Sequence, residues 1–299
     1  MIKIKVPATS ANIGPGFDSL GLALNLFNTF KLEKRADNQK HVVWEDPSVA
    51  VSDDNNLMKT ALEYTLKKHS ATHLGYDMIM GDCKVPMSRG LGSSATAIVA
   101  GVVAANYLLD FILSDDDLLL YATELEGHPD NVAPALLGSM IISQLVDKRV
   151  IYDRIVFPKE IAFKVMVPDF KLSTAKARSV LPDQYSKTQC IFNISRVGLL
   201  ISSLYSKKFE VLKDALDDAI HQPYRLPLIP SAKDIFKICD DISYGSFISG
   251  AGPTLISLVN INDSETFDKT MLPYLEAQAD KWTLTTMQIN LDGTTYTIL

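Results

Sequence analysis

Hydrophobic and polar residues alternate at the start of the chain, where residues 2–6 read Ile-Lys-Ile-Lys-Val. This two-residue period predicts a half-buried β-strand. Pro7 is expected to end the strand, because proline cannot donate to a sheet ladder. The stretch 7–21 is rich in glycine, proline and small polar residues. It therefore predicts a long loop that leads into a second strand at 22–26.

The same periodicities divide the rest of the chain into short elements. Further strands are predicted at 30–35, 41–44, 76–85, 138–142, 150–156, 163–167, 246–249, 255–259, 282–289 and 295–299. Helices are predicted at 53–70, 95–109, 114–126, 172–178, 188–206, 209–221, 231–241 and 264–279. A boundary between two domains is expected near 155–160, beyond which helices are more frequent.

The most apolar segment, 95–109, is shorter than the roughly 18 residues that a membrane span requires, so we expect a helix buried on all sides. Ser114 with Asp117 and Ser231 with Asp234 resemble capping boxes at helix starts. Gly127 is placed to stop a helix. The polar stretch 126–134 after it is interpreted as a loop.

Composition narrows the classes of function. The 299 residues carry a net charge of −6 and 47% hydrophobic residues, which is typical of a globular protein and argues against a nucleic-acid-binding protein. Cys83, Cys190 and Cys239 are isolated from one another. Their spacing indicates neither a zinc site nor a disulfide framework and is typical of a protein in a reducing cytoplasm.

One stretch concentrates the candidate chemistry. Gly90 and Gly92 let the backbone approach a ligand closely, and Ser93 and Ser94 are expected to cap the apolar helix that follows. The start of a helix attracts anions, so the stretch is interpreted as a phosphate cradle. It comprises Pro86, Met87, Ser88, Arg89, Gly90, Leu91, Gly92, Ser93, Ser94, Ala95 and Thr96.

The bare Gly-x-Gly pattern leaves three interpretations open. A Walker A loop needs a lysine that is absent here. The string also fits a dinucleotide-binding fingerprint with Asp110 as the ribose ligand, but four residues at 86–89 separate the predicted strand from the first glycine. An ordinary Gly/Ser loop before a buried helix is the third interpretation.

Three longer motifs resemble those of the GHMP kinases, the family of galactokinase, homoserine kinase, mevalonate kinase and phosphomevalonate kinase. They are Pro-Ala-Thr-Ser-Ala-Asn-Ile-Gly-Pro-Gly-Phe-Asp at 7–18, the phosphate cradle at 86–96, and Ile-Ser-Gly-Ala-Gly-Pro-Thr at 248–254. The resemblance implies a two-lobed α+β fold with a cleft between the lobes. The N-terminal lobe, residues 1–157, would resemble ribosomal protein S5 domain 2 and bind ATP. The C-terminal lobe, residues 158–299, would be ferredoxin-like.

Within the family, the motif at 10–18 together with Glu-Gly-His-Pro-Asp-Asn-Val-Ala-Pro at 126–134 resembles the branch that acts on L-homoserine. That resemblance implies transfer of the γ-phosphoryl group of ATP to the substrate hydroxyl, a Mg²⁺ requirement, a cytoplasmic biosynthetic role and a homodimer. It implies no nucleic-acid or membrane partner. A mevalonate-type kinase and a non-catalytic metabolite-binding regulator remain the alternatives.

The resemblance also assigns roles to residues. The phosphate cradle would hold the nucleotide phosphates, and Asn56 would contact adenine. Ser93 and Glu126 would bind Mg²⁺, with Glu124 as the alternative carboxylate, because hydroxyl and carboxylate oxygens suit this ion.

The amino-acid substrate would meet a second set of residues. Asp18 would accept the ammonium group, Arg178 and Arg225 would bind the carboxylate, and Asn131 would orient the hydroxyl. Since an asparagine cannot be a general base, Asp18 and Asp130 are the candidates if a base exists. The full set is Asn12, Asp18, His128, Asn131, Thr174, Arg178, Arg225 and Gly250, with Asn131, Asp18 and Arg178 expected to act in catalysis.

Overall fold

The computed structural model describes residues 1–46, 52 and 55–299. Asp53 and Asp54, in the predicted start of the first helix, lie outside the described residues. Within the described residues, no helix combines the length and the hydrophobicity that crossing a membrane demands.

The first sheet has seven strands and follows the order β11-β1-β2-β4-β3, with β5 pairing with both β2 and β6. All of its pairs are antiparallel except β3 with β4. Its strands are β1 (Ile2–Ala11), β2 (Leu20–Arg35), β3 (Lys40–Trp44), β4 (Gly75–Cys83), β5 (Met140–Val146), β6 (Arg149–Ile155) and β11 (Thr295–Ile298).

The first two strands are longer than the sequence pattern predicts. Strand β1 continues through Pro7 to Ala11, and its pairing with β2 shifts register between Pro7 and Ala8. An irregularity of this kind accommodates a residue without an N–H group. The strands expected at 22–26 and 30–35 are one strand, β2. The predicted loop 7–21 therefore shrinks to a tight connection between Ala11 and Leu20.

Four helices cover one face of this sheet: α1 (Leu57–Lys68), α2 (Ser93–Leu108), α3 (Asp115–Glu126) and α4 (Pro129–Leu137). Helix α2 is buried along most of its length, as its apolar composition predicts. The capping box of Ser114 and Asp117 and the left-handed Gly127 are confirmed. The segment 129–137 is a helix rather than the expected loop, because Pro129 presets the backbone dihedral of its first residue.

The second sheet has four antiparallel strands in the order β10-β7-β9-β8, where β7 is Ile161–Pro168, β8 is Ser246–Ile248, β9 is Leu255–Asn260 and β10 is Trp282–Met287. The helices of this half are α5 (Thr174–Ser179), α6 (Lys187–Ser206), α7 (Leu212–Ala215), α8 (Gln222–Arg225), α9 (Ala232–Ile242) and α10 (Ser264–Glu276). The α+β fold class is thus confirmed. The division of the chain into two domains at residue 157 stays a prediction. Strand β11, at the C-terminal end of the chain, pairs with β1 in the first sheet.

One helix prediction and one capping prediction in this half are wrong. The segment 209–221 forms only short helical turns, because the buried Asp218 carboxylate accepts the backbone N–H groups of residues 220–222 and bends the chain there. Ser231 does not form a capping box. It adopts a left-handed conformation and its hydroxyl donates to Gln278, 2.6 Å away.

Two glycines inside helices test how closely α2 packs. A Cβ on Gly101 of α2 would lie 2.3 Å from the Met58 carbonyl oxygen of α1, whereas a Cβ on Gly198 of α6 would meet nothing within 4 Å. Gly101→Ala is expected to lower the free energy of unfolding by about 2 kcal/mol through overpacking. Gly198→Ala, the matched control, is expected to raise it by about 0.5–1 kcal/mol through helix propensity. Urea denaturation of both variants checks this, and equal effects would contradict the close packing.

Candidate functional site

A cavity of about 510 Å³ lies where the start of α2, the β1–β2 connection and the loops of the second half meet. Every residue predicted to bind the amino-acid substrate lines it: Asn12, Asp18, His128, Asn131, Thr174, Arg178, Arg225 and Gly250. Ser93, Glu126 and Asn56 line it as well. The structure therefore brings together residues that are up to 238 positions apart in the chain, such as Asn12 and Gly250.

The phosphate cradle forms a left-handed turn into α2. Gly92, rather than Ser93 or Ser94, is the N-cap, and no side chain caps the helix. A Cβ on Gly92 would lie 1.9 Å from the Thr9 hydroxyl, and one on Gly90 would lie 2.3 Å from the Ser249 carbonyl oxygen. Both positions therefore require glycine. A helix start without a side-chain cap or an acidic first turn leaves its N–H groups for an anion.

The residues of the cradle divide into two groups. Leu91, Ala95 and Thr96 are buried and do not line the cavity. The guanidinium of Arg89 donates to the carbonyl oxygens of Pro168 and Asp169, and so attaches the cradle to the second half of the chain. The lining residues are Pro86, Met87, Ser88, Arg89, Gly90, Gly92, Ser93 and Ser94.

Glu126 faces this helix start from the end of α3. The hydroxyl of Ser94, not that of Ser93, donates to its carboxylate at 2.7 Å. Burial raises the pKa of Glu126, and the Ser94 hydrogen bond opposes that shift. Glu124 does not line the cavity, and its carboxylate accepts hydrogen bonds from Tyr64 and Lys68 at 2.8 and 2.6 Å.

Asp18 and Arg178 form an ion pair between the two halves of the chain. Two guanidinium nitrogens of Arg178 lie 2.7 and 3.0 Å from the two carboxylate oxygens of Asp18. Asp18 has a left-handed backbone, and its N–H donates to the Asn12 side chain at 3.0 Å. The Nδ2 of Asn12 donates to the Gly250 carbonyl oxygen at 2.8 Å. The Asn12 side chain therefore connects the β1–β2 connection to the loop that carries Gly250.

Arg225 is a buried cation, with only 1% of its surface exposed. Its guanidinium donates to the carbonyl oxygens of Ala177 and Gly250 at 3.2 and 3.0 Å and contacts the His221 ring at 3.3 Å. In the described part of the chain, none of these hydrogen-bond partners is a carboxylate. Burial, reinforced by the nearby charge of Arg178, lowers the pKa of Arg225 to about 10. A buried charge of this kind suits an anionic ligand at the cavity.

Asn131 and Asp130 follow one another at the start of α4. The Thr9 hydroxyl donates to the side-chain carbonyl of Asn131 at 2.8 Å. The amide nitrogen of Asn131 donates to the Asp130 carboxylate at 3.4 Å, which leaves its second N–H for a ligand. The ring Nδ1 of His128 bonds the buried carboxylate of Asp130. Burial lowers the pKa of His128, but the hydrogen bond to Asp130 and the charges of Asp130 and Asp18 together outweigh burial, so the net shift of the pKa is upward.

Part of the cavity lining is aromatic and apolar. Phe30, Trp44, Met80 and Cys83 belong to it, and such a surface suits a flat aromatic ligand. The carbonyl of the Asn56 side chain caps α1, while its Nδ2 is buried without a hydrogen-bond partner. Sequence reasoning did not find the four lining residues, because they look like ordinary strand positions until β2, β3 and β4 are placed side by side.

Thr9 and Ser249 were also missed as individual residues, although both lie within the motifs. The sequence feature that could have indicated them is a small polar side chain within each motif. In the structure, both side chains are fully buried. Buried hydroxyl groups need partners. Here the partners are Asn131 for Thr9, and Ser10 and Gly90 for Ser249.

Comparison with known proteins agrees with this geometry. The family of GHMP kinases N-terminal domains matches residues 56–139, and that of GHMP kinases C-terminal domains matches residues 200–269. The homoserine kinase of Clostridium kluyveri is 41% identical, over 98% of this chain and 97% of its own, and that of Clostridium novyi is 40% identical, over 98% of each chain.

Solved structures give the same result. The homoserine kinase of Cytophaga hutchinsonii superposes with a TM-score of 0.89 at 28% identity, covering 99% of this chain and 97% of that one. The mevalonate kinase of Methanococcus jannaschii shares the fold, with a TM-score of 0.72 at 16% identity over 97% of this chain and 98% of that one. The two domain matches, the full-length sequence identity and the shared two-domain fold establish that the chain belongs to the GHMP kinase family.

Proposed function

We propose that this ATP-dependent kinase transfers the γ-phosphoryl group of ATP to the side-chain hydroxyl of L-homoserine, giving O-phospho-L-homoserine and ADP, as a step of threonine biosynthesis. The observation that carries the proposal is the pairing of opposite charges across the cavity. One carboxylate, that of Asp18, faces the guanidinium of Arg178, and the buried guanidinium of Arg225 lies nearby without an acidic hydrogen-bond partner. This arrangement suits a zwitterion.

An α-amino acid can enter this site by exchange of partners. Its ammonium group would take the place of Arg178 at the carboxylate of Asp18, and its carboxylate would pair with Arg178 and Arg225. An amino-acid zwitterion is neutral overall. It would therefore exchange the partners of the Asp18–Arg178 pair without changing the net charge of the site. Mevalonate has a carboxylate but no ammonium group, so it would leave Asp18 without a new partner. A sugar would leave all three charges unused.

The reacting hydroxyl oxygen would form a bond to the γ-phosphorus while the bond from that phosphorus to the β–γ bridging oxygen breaks. Asn131 would supply one amide N–H to orient the hydroxyl or a phosphoryl oxygen, since its other N–H donates to Asp130. Its own carbonyl is occupied by Thr9. The carboxylates of Asp18 and Asp130 are occupied by Arg178 and His128. We therefore propose that the proton moves to a phosphoryl oxygen, since phosphoryl transfer depends mainly on positioning and charge neutralisation.

Residues at the start of α2 and at the end of α3 fit a magnesium ion. Ser93, Ser94 and Glu126 offer hydroxyl and carboxylate oxygens, the ligands that Mg²⁺ prefers. Glu126 accepts a hydrogen bond from Ser94, which leaves carboxylate lone pairs for an ion. We propose that Ser93 and Glu126 hold the ion, with Ser94 orienting the carboxylate. A bound Mg²⁺ would offset the negative charge of the triphosphate.

Specific observations argue against the alternative functions. A non-catalytic regulator would not need Asn131 held in one orientation beside the phosphate cradle. A dinucleotide-dependent enzyme would need Asp110 at the cavity, but Asp110 is exposed and pairs with Lys34. A homodimer is a proposal that rests on the family. A cytoplasmic location is also a proposal, supported by three free cysteines.

The substrate proposal can be tested with four alcohols that differ in charge. We expect ADP release with ATP and Mg²⁺ to be fastest with L-homoserine. Mevalonate lacks the ammonium group, 3-aminopropan-1-ol lacks the carboxylate, and galactose lacks both. Each missing charge should lower kcat/KM by about 100-fold, because it leaves a charged group of the site unpaired. A coupled ADP assay measures this. Faster turnover of mevalonate than of L-homoserine would refute the proposed substrate.

Replacing the buried Arg225 should weaken substrate binding more than it lowers the stability of the protein. Arg225→Met should raise the KM for L-homoserine by about 100-fold, because one partner of a buried charge pair in the complex is lost. It should not cost the about 3–5 kcal/mol typical of breaking a buried ion pair, since no direct carboxylate partner is left behind. Kinetics and thermal unfolding check both effects.

Arg35→Met is the control for that experiment. It removes an arginine that pairs with Asp37 and Asp77, none of which lines the cavity, and should leave the KM unchanged. A severe loss of stability in Arg225→Met with an unchanged KM would mean that Arg225 is structural.

Glu126 predicts how the magnesium requirement depends on pH. Its raised pKa means that the carboxylate is protonated at a higher pH than usual, so the apparent affinity for Mg²⁺ should fall as pH falls through that pKa. Glu126→Gln should raise the Mg²⁺ concentration for half-maximal rate about tenfold or more and weaken this pH dependence. Glu124→Gln should do neither. The reverse result would identify Glu124 as the metal ligand.

A further inference from the structure

Two aromatic rings lie behind the arginines without lining the cavity. The ring of Phe17, in the connection between β1 and β2, lies 5.6 Å from the guanidinium carbon of Arg178 and 5.2 Å from that of Arg225, measured from the ring centroid. The ring of His221 stacks on Phe17 with centroids 5.4 Å apart and an angle of 27°. Both guanidiniums that face the proposed substrate carboxylate therefore contact one ring.

Two like charges side by side repel one another before the substrate arrives. Arg178 is neutralised by Asp18, whereas the hydrogen-bond partners of Arg225 in the described residues are carbonyl oxygens and an imidazole. The face of an aromatic ring carries partial negative charge and attracts cations within about 6 Å of its centroid. Phe17 meets that condition for both arginines. It provides attraction without an anion that would compete with the substrate carboxylate for Arg225.

His221 fixes the direction of Arg225. It is fully buried, and burial lowers its pKa. Its Nε2 lies 2.8 Å from the carbonyl oxygen of Gly14 and must donate there. Its Nδ1 is then an acceptor for the guanidinium of Arg225 at 3.3 Å. The ring thereby connects Arg225 to the same backbone turn that carries Phe17.

We propose that Phe17 is a positioning residue that holds the guanidiniums of Arg178 and Arg225 together at the cavity, so that both bind the substrate carboxylate. This inference rests on the proposed function for the identity of the substrate. Phe17 does not line the cavity, so it would act through the two arginines. The property that it contributes is the aromatic ring, not apolar bulk alone.

The test replaces the ring and keeps the bulk. Phe17→Leu is expected to raise the KM for L-homoserine by about tenfold, the order of two weakened cation–π contacts, while kcat and the KM for ATP stay unchanged. Phe17→Tyr retains the ring and should behave like the wild type. The inhibition constant of 3-aminopropan-1-ol, which has no carboxylate, should be the same in all three proteins. Phe209→Leu removes an aromatic residue that packs on Tyr244 and is the control.

Several outcomes would overturn the inference. They are an unchanged KM in Phe17→Leu, an equal loss in Phe17→Tyr, or an equal loss of affinity for 3-aminopropan-1-ol. Circular dichroism and an unchanged KM for ATP establish that Phe17→Leu is folded.

Failure of the proposed function is a separate result. It would appear as wild-type protein that releases no ADP with L-homoserine. Calorimetric binding of L-homoserine in the presence of a non-hydrolysable ATP analogue would then provide the comparison between wild type and Phe17→Leu. Tenfold weaker binding in the variant would support the inference even so. Equal binding, or no binding to the wild type, would refute it.

Discussion

One buried hydroxyl, that of Ser249 in the loop after β8, joins the phosphate cradle to the end of β1. It donates to the carbonyl oxygen of Gly90 at 2.6 Å and lies 2.7 Å from the hydroxyl of Ser10. The neighbouring N–H of Gly250 donates to the carbonyl oxygen of Ala11 at 3.0 Å. A buried polar group without a partner costs about 1–3 kcal/mol, so these contacts set the distances between the three segments. The cavity, the phosphate cradle and the arginines depend on that spacing.

The site keeps charges that its own residues do not fully balance. Arg225 is buried without an acidic hydrogen-bond partner, and Glu126 is a partly buried carboxylate whose pKa is raised by burial. Each lowers the stability of the free protein relative to an apolar side chain of similar size. Each also prepares a place for a ligand of opposite charge, a carboxylate in one case and a cation in the other. Buried charges that lower the stability of the free protein are typical of functional sites.

Local patterns predicted the parts of the fold that local forces determine. The buried helix α2, the capping box at Ser114 and the left-handed Gly127 follow from residues within one or two turns of each other. The prediction for Pro7 was wrong because a distant strand decided the outcome: a register shift against β2 accommodates the proline. The prediction for 209–221 was wrong because the carboxylate of Asp218, within the segment itself, accepts the N–H groups of residues 221 and 222 in place of a helix ladder.

The sequence by itself determined the glycine turn into an apolar helix and the motif around Asp18, because each is contiguous in the chain. Only the tertiary structure decided that Arg178 reaches Asp18, 160 residues away, that Arg225 is buried rather than solvated, and that one phenylalanine contacts both. An arginine has the same local signal on the surface as in a cleft. Its role depends on which carboxylates, carbonyls and rings the packing of the two sheets brings beside it.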